Sequence, residues 1–290
     1  VVNMRLKHGW HVACLAALLT ATMADAAPQR VVSTFLCTDE YVFRLVPRDH
    51  IAALSYLSAD DHPVVSTIRD KVKGIRLIRG SAEEVLSLHP DMVVMYANTN
   101  PRLKAHLIET HIPFVEVPWA NSLDDVRKVT RMLGAALGSP DRARAMIAKM
   151  DGELAKAASD APHPPVRTLI YEPNGYANSG GVSDDILRAI GLKDVAPQMF
   201  QTRQGTVPVE AIIASPPELL ILNGEREATP TRADLVLKHP ALRALPKNTL
   251  IANTALTPLL CPGPWSADVT QPLAALGRKA RSLASAPRAD

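Results

Sequence analysis

The sequence predicts an α/β protein of two lobes of similar build, each on a parallel sheet, and three observations carry that prediction. The first is a unit written twice. Glu83-Glu84-Val85-Leu86-Ser87-Leu88-His89-Pro90-Asp91 leads into the apolar run Met92-Val93-Val94-Met95, and Glu210-Ala211-Ile212-Ile213-Ala214-Ser215-Pro216-Pro217-Glu218 leads into Leu219-Leu220-Ile221-Leu222. The glutamate, the proline and the acidic residue keep their offsets in both copies. A proline cannot continue a helix, and a short apolar run beyond it reads as a strand buried on both faces. Each copy is therefore one helix–turn–strand piece of a parallel sheet, and two copies so far apart imply two lobes. The second observation lies between the copies: Ala143, Met146, Ile147, Met150, Leu154 and Ala157 recur at helical spacing with charges between them. They form one amphipathic helix of about five turns. It opens after Gly138-Ser139-Pro140, where proline suits the first helical position, and breaks at Pro162-His163-Pro164-Pro165. The third is that polar, Gly/Asn-rich loops follow the strands in both halves, which in an open parallel sheet places them on a functional crevice.

Size and composition limit the function. The 290 residues suffice for two cores of ordinary size. A hydrophobic content of 47% with 21% charged residues is that of a globular protein, and a net charge of +3 without a basic, aromatic-interleaved stripe argues against nucleic acid. At the start, Arg5, Lys7 and His8 precede an apolar run from Val12 to Met23, followed by Ala24-Asp25-Ala26. That pattern is a cleavable secretory leader, too short to span a bilayer as a stable helix. The expected division is 1–26 leader, 27–138 N-terminal lobe, 139–161 connecting helix and 162–290 C-terminal lobe.

In the first lobe, Val31 to Leu36 reads as a buried strand, and Cys37-Thr38-Asp39-Glu40 turns it into a helix with Thr38 or Asp39 as N-cap. Ile51 to Ser55 is a second strand, followed by a polar loop with Asp60, Asp61 and His62, and Ile75 to Ile78 is a third. The first repeat follows, then the loop Tyr96 to Asn100, a helix from Pro101, and the strand Phe114 to Val117 ending at Pro118-Trp119. The strand-end rule puts Cys37–Glu40, Tyr96–Asn100 and Trp119 on one rim. In the second lobe, Val166 to Tyr171 is a strand, and Glu172 to Ser183 is a Gly/Asn-rich loop before a helix at Asp184 to Ile190. The second repeat, a strand at Thr249 to Ala252, the segment Cys261-Pro262-Gly263-Pro264-Trp265 and a final helix complete it. Asn174–Ser183 and Cys261–Trp265 form the opposing rim.

The leader, an Arg-Val-Val-Ser strand, the twice-written Glu-x-[Val/Ile]-[Leu/Ile]-x-x-x-Pro-[Asp/Glu], one helical connector and the loop Ser179-Gly180-Gly181-Val182-Ser183-Asp184 together resemble the periplasmic substrate-binding proteins of ABC importers for ferric siderophores, heme and vitamin B12. The resemblance covers the chain after the leader. It implies two Rossmann-like lobes joined by a single helix, ligand bound between them with little closure, a monomer in the periplasm, and delivery to a dimeric inner-membrane ABC permease. It also implies that one exposed glutamate per lobe, here Glu83 and Glu210, seats the protein on permease arginines, for which Arg–carboxylate pairing is suited. Each glutamate also complements its own helix N-terminus. No resident cofactor and no catalysis are expected.

The candidate ligand contacts are Tyr96, Trp119, Tyr176 and Trp265, because aromatic residues make up only 4% of the chain and flat apolar platforms suit a macrocycle or chelate. Cys37, Thr38, Asp39 and Asn98 are candidate polar contacts on the same rims, and Arg79 and Arg203 candidate anion partners. Cys37 and Cys261 admit three readings: a disulfide between the lobes, a soft-metal or chelate-binding thiolate pair, or two unrelated thiols.

Two alternatives stand beside this one. A free transition-metal ion needs three or four His and carboxylate ligands, yet His89 precedes a helix-ending proline, and His106 and His111 sit on or after a surface helix. An α/β enzyme would need a nucleophile or phosphate loop. Ser179-Gly180-Gly181-Val182-Ser183 has neither the Gly-x-Ser-x-Gly spacing nor a Gly-Lys-[Ser/Thr] ending.

Overall fold

The computed structural model of the protein describes residues 27–60, 65–199, 204–224 and 232–285; the expected leader, Asp61, His62 and Arg203 lie outside the described residues. Short β-branched runs become parallel strands, and the amphipathic runs between them return the chain across the sheet as helices. In the N-terminal lobe, strands β1 (Val31–Ser33), β2 (Ile51–Ser55), β3 (Leu77–Ile78), β4 (Met92–Tyr96) and β5 (Phe114–Val117) form one sheet in the order β3-β2-β1-β4-β5, with every neighbouring pair parallel. Helices α1 (Leu36–Leu45), α2 (Ala82–Ser87) and α3 (Pro101–Glu109) supply crossovers. Helices α4 (Leu123–Ala136) and α5 (Pro140–Ala158) lead to the C-terminal lobe. There, β6 (Val166–Tyr171), β8 (Leu192–Asp194), β10 (Leu219–Leu222) and β11 (Leu250–Asn253) make a parallel sheet in the order β11-β10-β6-β8. An antiparallel ribbon of β7 (Tyr176–Asn178) and β9 (Gln204–Thr206) stands beside it. Helices α6 (Gly181–Ala189), α7 (Val209–Ala214), α8 (Pro240–Arg243), α9 (Thr257–Leu260) and α10 (Thr270–Ser285) complete the lobe.

The duplicated unit has one structural job in both places. In the first copy, Asp91 accepts the backbone N–H groups of Gln29 and Arg30 at 2.8 and 2.9 Å, just before β1. In the second copy, Glu218 accepts the backbone N–H of Arg167 at 2.9 Å, near the start of β6. The acidic residue after the proline thus pins the beginning of each lobe's first strand to the beginning of its neighbour. Such charge-assisted bonds to backbone donors are worth more than neutral ones. The glutamate opening each unit takes the second position of its helix, Glu83 in α2 and Glu210 in α7, and both are exposed. In the first copy Ser81 and Glu84 close a reciprocal capping box, which leaves Glu83 uncommitted to the cap.

The connector is a helix pair. Arg127 on α4 reaches Asp151 on α5 at 2.7 Å. Helix α4 sends Val129 and Leu133 into the N-terminal core and Val126 into the C-terminal one. Helix α5 sends Ala143 into the former and Met150, Leu154 and Ala157 into the latter. A second bridge comes from the far end of the chain: Cys261 and Trp265, from the C-terminal lobe, are buried in the N-terminal core. Trp265 packs edge-on against Tyr41 with ring centroids 4.7 Å apart, under the Arg44 guanidinium at 4.4 Å. Gly263 is needed here, because a Cβ at that position would meet the indole at 2.3 Å. Cys37 in α1 and Cys261 are joined by a disulfide.

The first strand is shorter than its apolar run suggests. It ends at Ser33, Leu36 already belongs to α1, and the N-cap is Phe35 rather than Thr38 or Asp39. Those two polar residues are fully buried within the helix and serve the fold. The Thr38 hydroxyl donates to the Phe35 carbonyl at 2.7 Å and lies 2.7 Å from the Ser33 hydroxyl. Asp39 accepts the backbone N–H and the hydroxyl of Ser55, tying α1 to the end of β2.

Burial pushes the Asp39 carboxyl up to about 7, against the opposing pull of its bonds from Ser33 and Ser55. A folded-state pKa above the unfolded one means that the native state keeps its proton longer. Stability from this group is therefore complete in acid and is lost as pH rises through about 7. The expected loss is a few kcal/mol, on the order of 1.4 per pKa unit. Urea midpoints of the wild type and Asp39→Asn at mildly acidic and mildly alkaline pH check this. The variant is expected to show the flatter profile, and equal slopes would remove Asp39 as the source.

Candidate functional site

The carboxyl ends of both sheets face each other across a cleft of about 850 Å³. The N-terminal wall holds Asp60, Val65, Trp119, Ala120 and Asn121. The C-terminal wall holds Glu172 and Pro173 after β6, the loop from Ser179 to Asp184, Asn223 and Gly224 after β10, Asp234, and Leu256, Thr257, Leu259, Leu260 and Pro262.

Strand order explains the aromatic part of the wall. Strands β1, β4 and β5 are neighbours, so the residues at or beyond their carboxyl ends stand roughly 5 Å apart in sequence of strands. Phe35 after β1 stacks on Tyr96 at the end of β4 with centroids 5.2 Å apart. Tyr96 in turn meets Trp119, beyond β5, edge-on at 5.8 Å. Trp119 remains 47% exposed and lines the cleft, backed by two rings that hold it in place. Burial pushes the Tyr96 phenol above its usual range, so it stays protonated.

On the opposite wall, β6 and β10 are adjacent, and the residues that follow them are tied together. Asn223 donates from Nδ2 to Glu172 Oε1 at 2.9 Å and accepts the Leu256 N–H at 2.8 Å. Burial raises the Glu172 pKa, with the Asn223 bond opposing it. Gly180 and Gly181, both at positive φ, turn the loop into α6, a backbone path that side-chain-bearing residues resist. The first turn of α6 carries Asp184, and Asp185 just after it accepts the Leu123 N–H, at the start of α4, on Oδ2. Asp194 lies beside Asp184, and burial first, then that neighbouring charge, raises its pKa.

The candidate residues of the sequence therefore separate. Trp119 lines the cleft, and Tyr96 supports it from behind. Asn98 is exposed at a positive-φ turn and Tyr176 is 50% exposed, but neither reaches the cleft wall. Thr38, Asp39 and Trp265 are not on the wall either: the first two are sealed inside α1, and Trp265 is only 4% exposed in the N-terminal core, donating to the Cys261 carbonyl at 2.9 Å. Cys37 and Cys261 are bonded to each other, so neither offers a thiolate to a ligand or metal. Arg79 lies over the Tyr56 ring at 4.9 Å. Among the described residues no three His, Cys, Asp or Glu side chains gather in a metal-holding group. The residues missed by sequence reasoning are Glu172, Asn223 and Asp234, with Leu256–Leu260. Glu172 and Asn223 directly follow strands, so the strand-end rule that found Trp119 also points to them.

A family model described as periplasmic binding protein matches residues 39–249. Among curated proteins no sequence matches this chain. Among solved structures, the chain is similar to a periplasmic heme-binding protein from Roseiflexus sp. RS-1 in its apo form, at 21% identity and a TM-score of 0.67, covering 87% of this chain and 98% of that one. A periplasmic heme-binding protein of Vibrio cholerae is 17% identical, with a TM-score of 0.70 over 86% of this chain and 98% of that one. A periplasmic vitamin B12-binding protein of Vibrio cholerae is 16% identical, with a TM-score of 0.64 over 88% and 98%.

Proposed function

We propose, from the premise that this chain belongs to the periplasmic binding protein family, that it captures a metal chelate or macrocycle in the interlobe cleft and delivers it to an inner-membrane ABC permease. The observation that carries the reading is a two-walled cleft of about 850 Å³, within the range of roughly 300–1,000 Å³ in which pockets bury most of a drug-sized ligand. The one large aromatic ring among its described lining residues, Trp119, is braced by Tyr96 and Phe35. A braced aromatic plane loses little side-chain freedom on binding and suits a flat or bulky ligand. The structures of similar fold that bind heme or vitamin B12 support a cargo of that kind. Glu83 and Glu210, each exposed at the head of a repeat, are the docking residues in this reading. Residues 1–26 serve as a cleaved export leader, and the protein works as a monomer.

The test is intrinsic tryptophan fluorescence of residues 27–290, titrated with hydroxocobalamin, heme, several ferric siderophores and simple divalent metals. Saturable one-to-one quenching by a chelate is expected, and it is expected to vanish in Trp119→Phe, because Trp265 is buried away from the cleft. Trp119→Ala is expected to weaken binding by about tenfold to a hundredfold, the usual cost of truncating an aromatic anchor. Quenching that survives in Trp119→Phe would move the ligand elsewhere.

A further inference from the structure

The segment that crosses between the lobes is built as a knob with both ends rooted in the C-terminal lobe. Leu256 before it and Ala267 and Val269 after it are buried in the C-terminal core, and the Leu256 N–H is held by Asn223. Between them, Cys261 and Trp265 are buried in the N-terminal core. The knob is tied to itself. The Trp265 indole N–H donates to the Cys261 carbonyl at 2.9 Å, the Ser266 hydroxyl to the Pro258 carbonyl at 2.8 Å, and the Gly263 N–H to Ser266 Oγ at 3.2 Å. When the lobes part, it moves as one piece.

Its socket is one face of α1. Cys37, Tyr41 and Arg44 follow one another at four- and three-residue steps, a single helical stripe. Tyr41 packs on the indole and donates from its hydroxyl to the Pro262 carbonyl at 3.3 Å. Arg44 lies over the same ring, fixed from behind by the Thr67 hydroxyl at 2.7 Å and by the buried Glu40 carboxylate. All of these contacts are noncovalent and re-form each time the knob returns. The Cys37–Cys261 bond is the exception: while it stands, the knob cannot leave α1.

That bond lies directly behind the cleft wall, because Leu260 and Pro262, on either side of Cys261, both line the cleft. In the oxidised protein the lobes are joined at two places, the helix pair α4/α5 and the knob, and a hinge at either one is blocked by the other. Without the bond, the knob can withdraw as a unit and the helix pair becomes the hinge. The resting cleft stays as it is, since packing keeps the knob seated. What changes is how often the lobes part.

We propose that the Cys37–Cys261 bond is a redox-sensitive gate on ligand exchange: oxidised, it keeps the lobes from parting, and reduced by a dithiol, it lets ligand enter and leave faster through an unaltered resting cleft. In the reduction, one thiolate of the dithiol attacks a sulfur of the bond and its second thiol resolves the mixed disulfide. Two electrons and two protons pass to Cys37 and Cys261, and the dithiol becomes a disulfide. Access couples the gate to the ligand. Cys37 is 6% and Cys261 3% exposed, so a dithiol reaches the bond when the lobes part. A ligand bridging both walls holds the lobes together and must, by linkage, slow the reduction. The ligand-exchange part rests on the delivery reading above; the gate on lobe opening does not.

The experiment compares residues 27–290 oxidised, reduced with dithiothreitol, and as Cys37→Ser/Cys261→Ser, each below its melting transition. Stopped-flow quenching of Trp119 by hydroxocobalamin, heme and a ferric hydroxamate siderophore gives association and dissociation rates. For each probe that binds, both rates are expected to rise about tenfold in the reduced and serine forms, with Kd changed by less than about threefold. Unchanged rates would overturn the proposal. So would faster dissociation with unaltered association, the mark of a damaged wall. Reduction of the oxidised form, followed by thiol labelling of its two cysteines, is expected to slow about tenfold or more under saturating probe. Equal reduction rates would overturn the gate, and this arm decides if the reduced and serine forms fail to stay folded. If no probe binds, the delivery reading fails and backbone hydrogen exchange decides the gate. Amides from Cys261 to Val269 are then expected to exchange about tenfold faster after reduction, and equal protection would overturn it.

Discussion

Replacing both Glu83 and Glu210 with alanine is expected to reduce ligand-dependent transport by at least about a hundredfold while leaving ligand affinity unchanged. The two residues occupy the same position of the duplicated unit, the second residue of α2 and of α7. Both are exposed, and among the described residues neither is engaged in an ion pair. The acidic residue eight positions later shows what a structural role looks like in this unit, since Asp91 and Glu218 each bond to the backbone before or at the lobe's first strand. Glu83 and Glu210 have no such duty beyond complementing a helix end, which is worth about 0.3–1 kcal/mol. The stability cost of the double variant should therefore be small, and its effect should fall on association. Vesicle uptake with purified importer, alongside ligand titration of the binding protein, separates the two. A double variant that transports normally would remove the docking assignment. Each single variant is expected to retain partial activity, because one anchored lobe still orients the other.

Cys37→Ser/Cys261→Ser is expected to lower the unfolding free energy by about 2–5 kcal/mol. The disulfide spans a sequence separation of 224 residues and ties α1 of the first lobe to the segment after α9 of the second. In the chain-entropy account, a closure over so long a loop removes a large number of unfolded conformations. The neighbouring contacts survive the substitution, because Trp265 still packs on Tyr41 and its indole N–H still reaches the Cys261 carbonyl. The native cleft is thus expected to persist and only its stability to fall. Thermal melts of wild type with and without reductant, compared with the double serine variant, provide the check. Matching melts in all three would show that packing alone holds the segment.

The elements that declared themselves in the sequence were those with a period or a repeat. The connector was visible because Ala143, Met150 and Leu154 recur at helical spacing, and the two lobes because a whole unit was written twice. Helix α4 was legible as the helix that precedes Gly138-Ser139-Pro140, but its split duty, Val126 to one core and Leu133 to the other, has no local signature. On the first rim, Trp119 was legible through the strand-end rule, whereas Thr38 and Asp39 were misplaced because β1 stops at Ser33. A polar residue following a strand reads the same whether it faces a cleft or is satisfied internally; the deciding partners, Ser33 and Ser55, lie elsewhere in the chain. Trp265 failed for a related reason: its segment leaves its own lobe to fill the core of the other, a non-local choice that no window of sequence records. The same strand-end rule would have reached Glu172 and Asn223 had it been applied one residue beyond β6 and β10.

That planted segment bears on how affinity is set. A receptor that must first close over its ligand has its measured affinity reduced by the fraction of time it spends in the competent conformation. Here two helices, a disulfide and a buried tryptophan hold the lobes to each other before any ligand arrives. In the proposed function the competent arrangement is accordingly expected to be the resting one, with the affinity set by what the walls themselves supply. The same fixity delays escape, because thermal fluctuation alone seldom parts lobes that share a core. If the chain delivers a ligand as proposed, a long residence time in solution is expected, and the work of emptying the cleft falls to whatever grips the two lobes from outside.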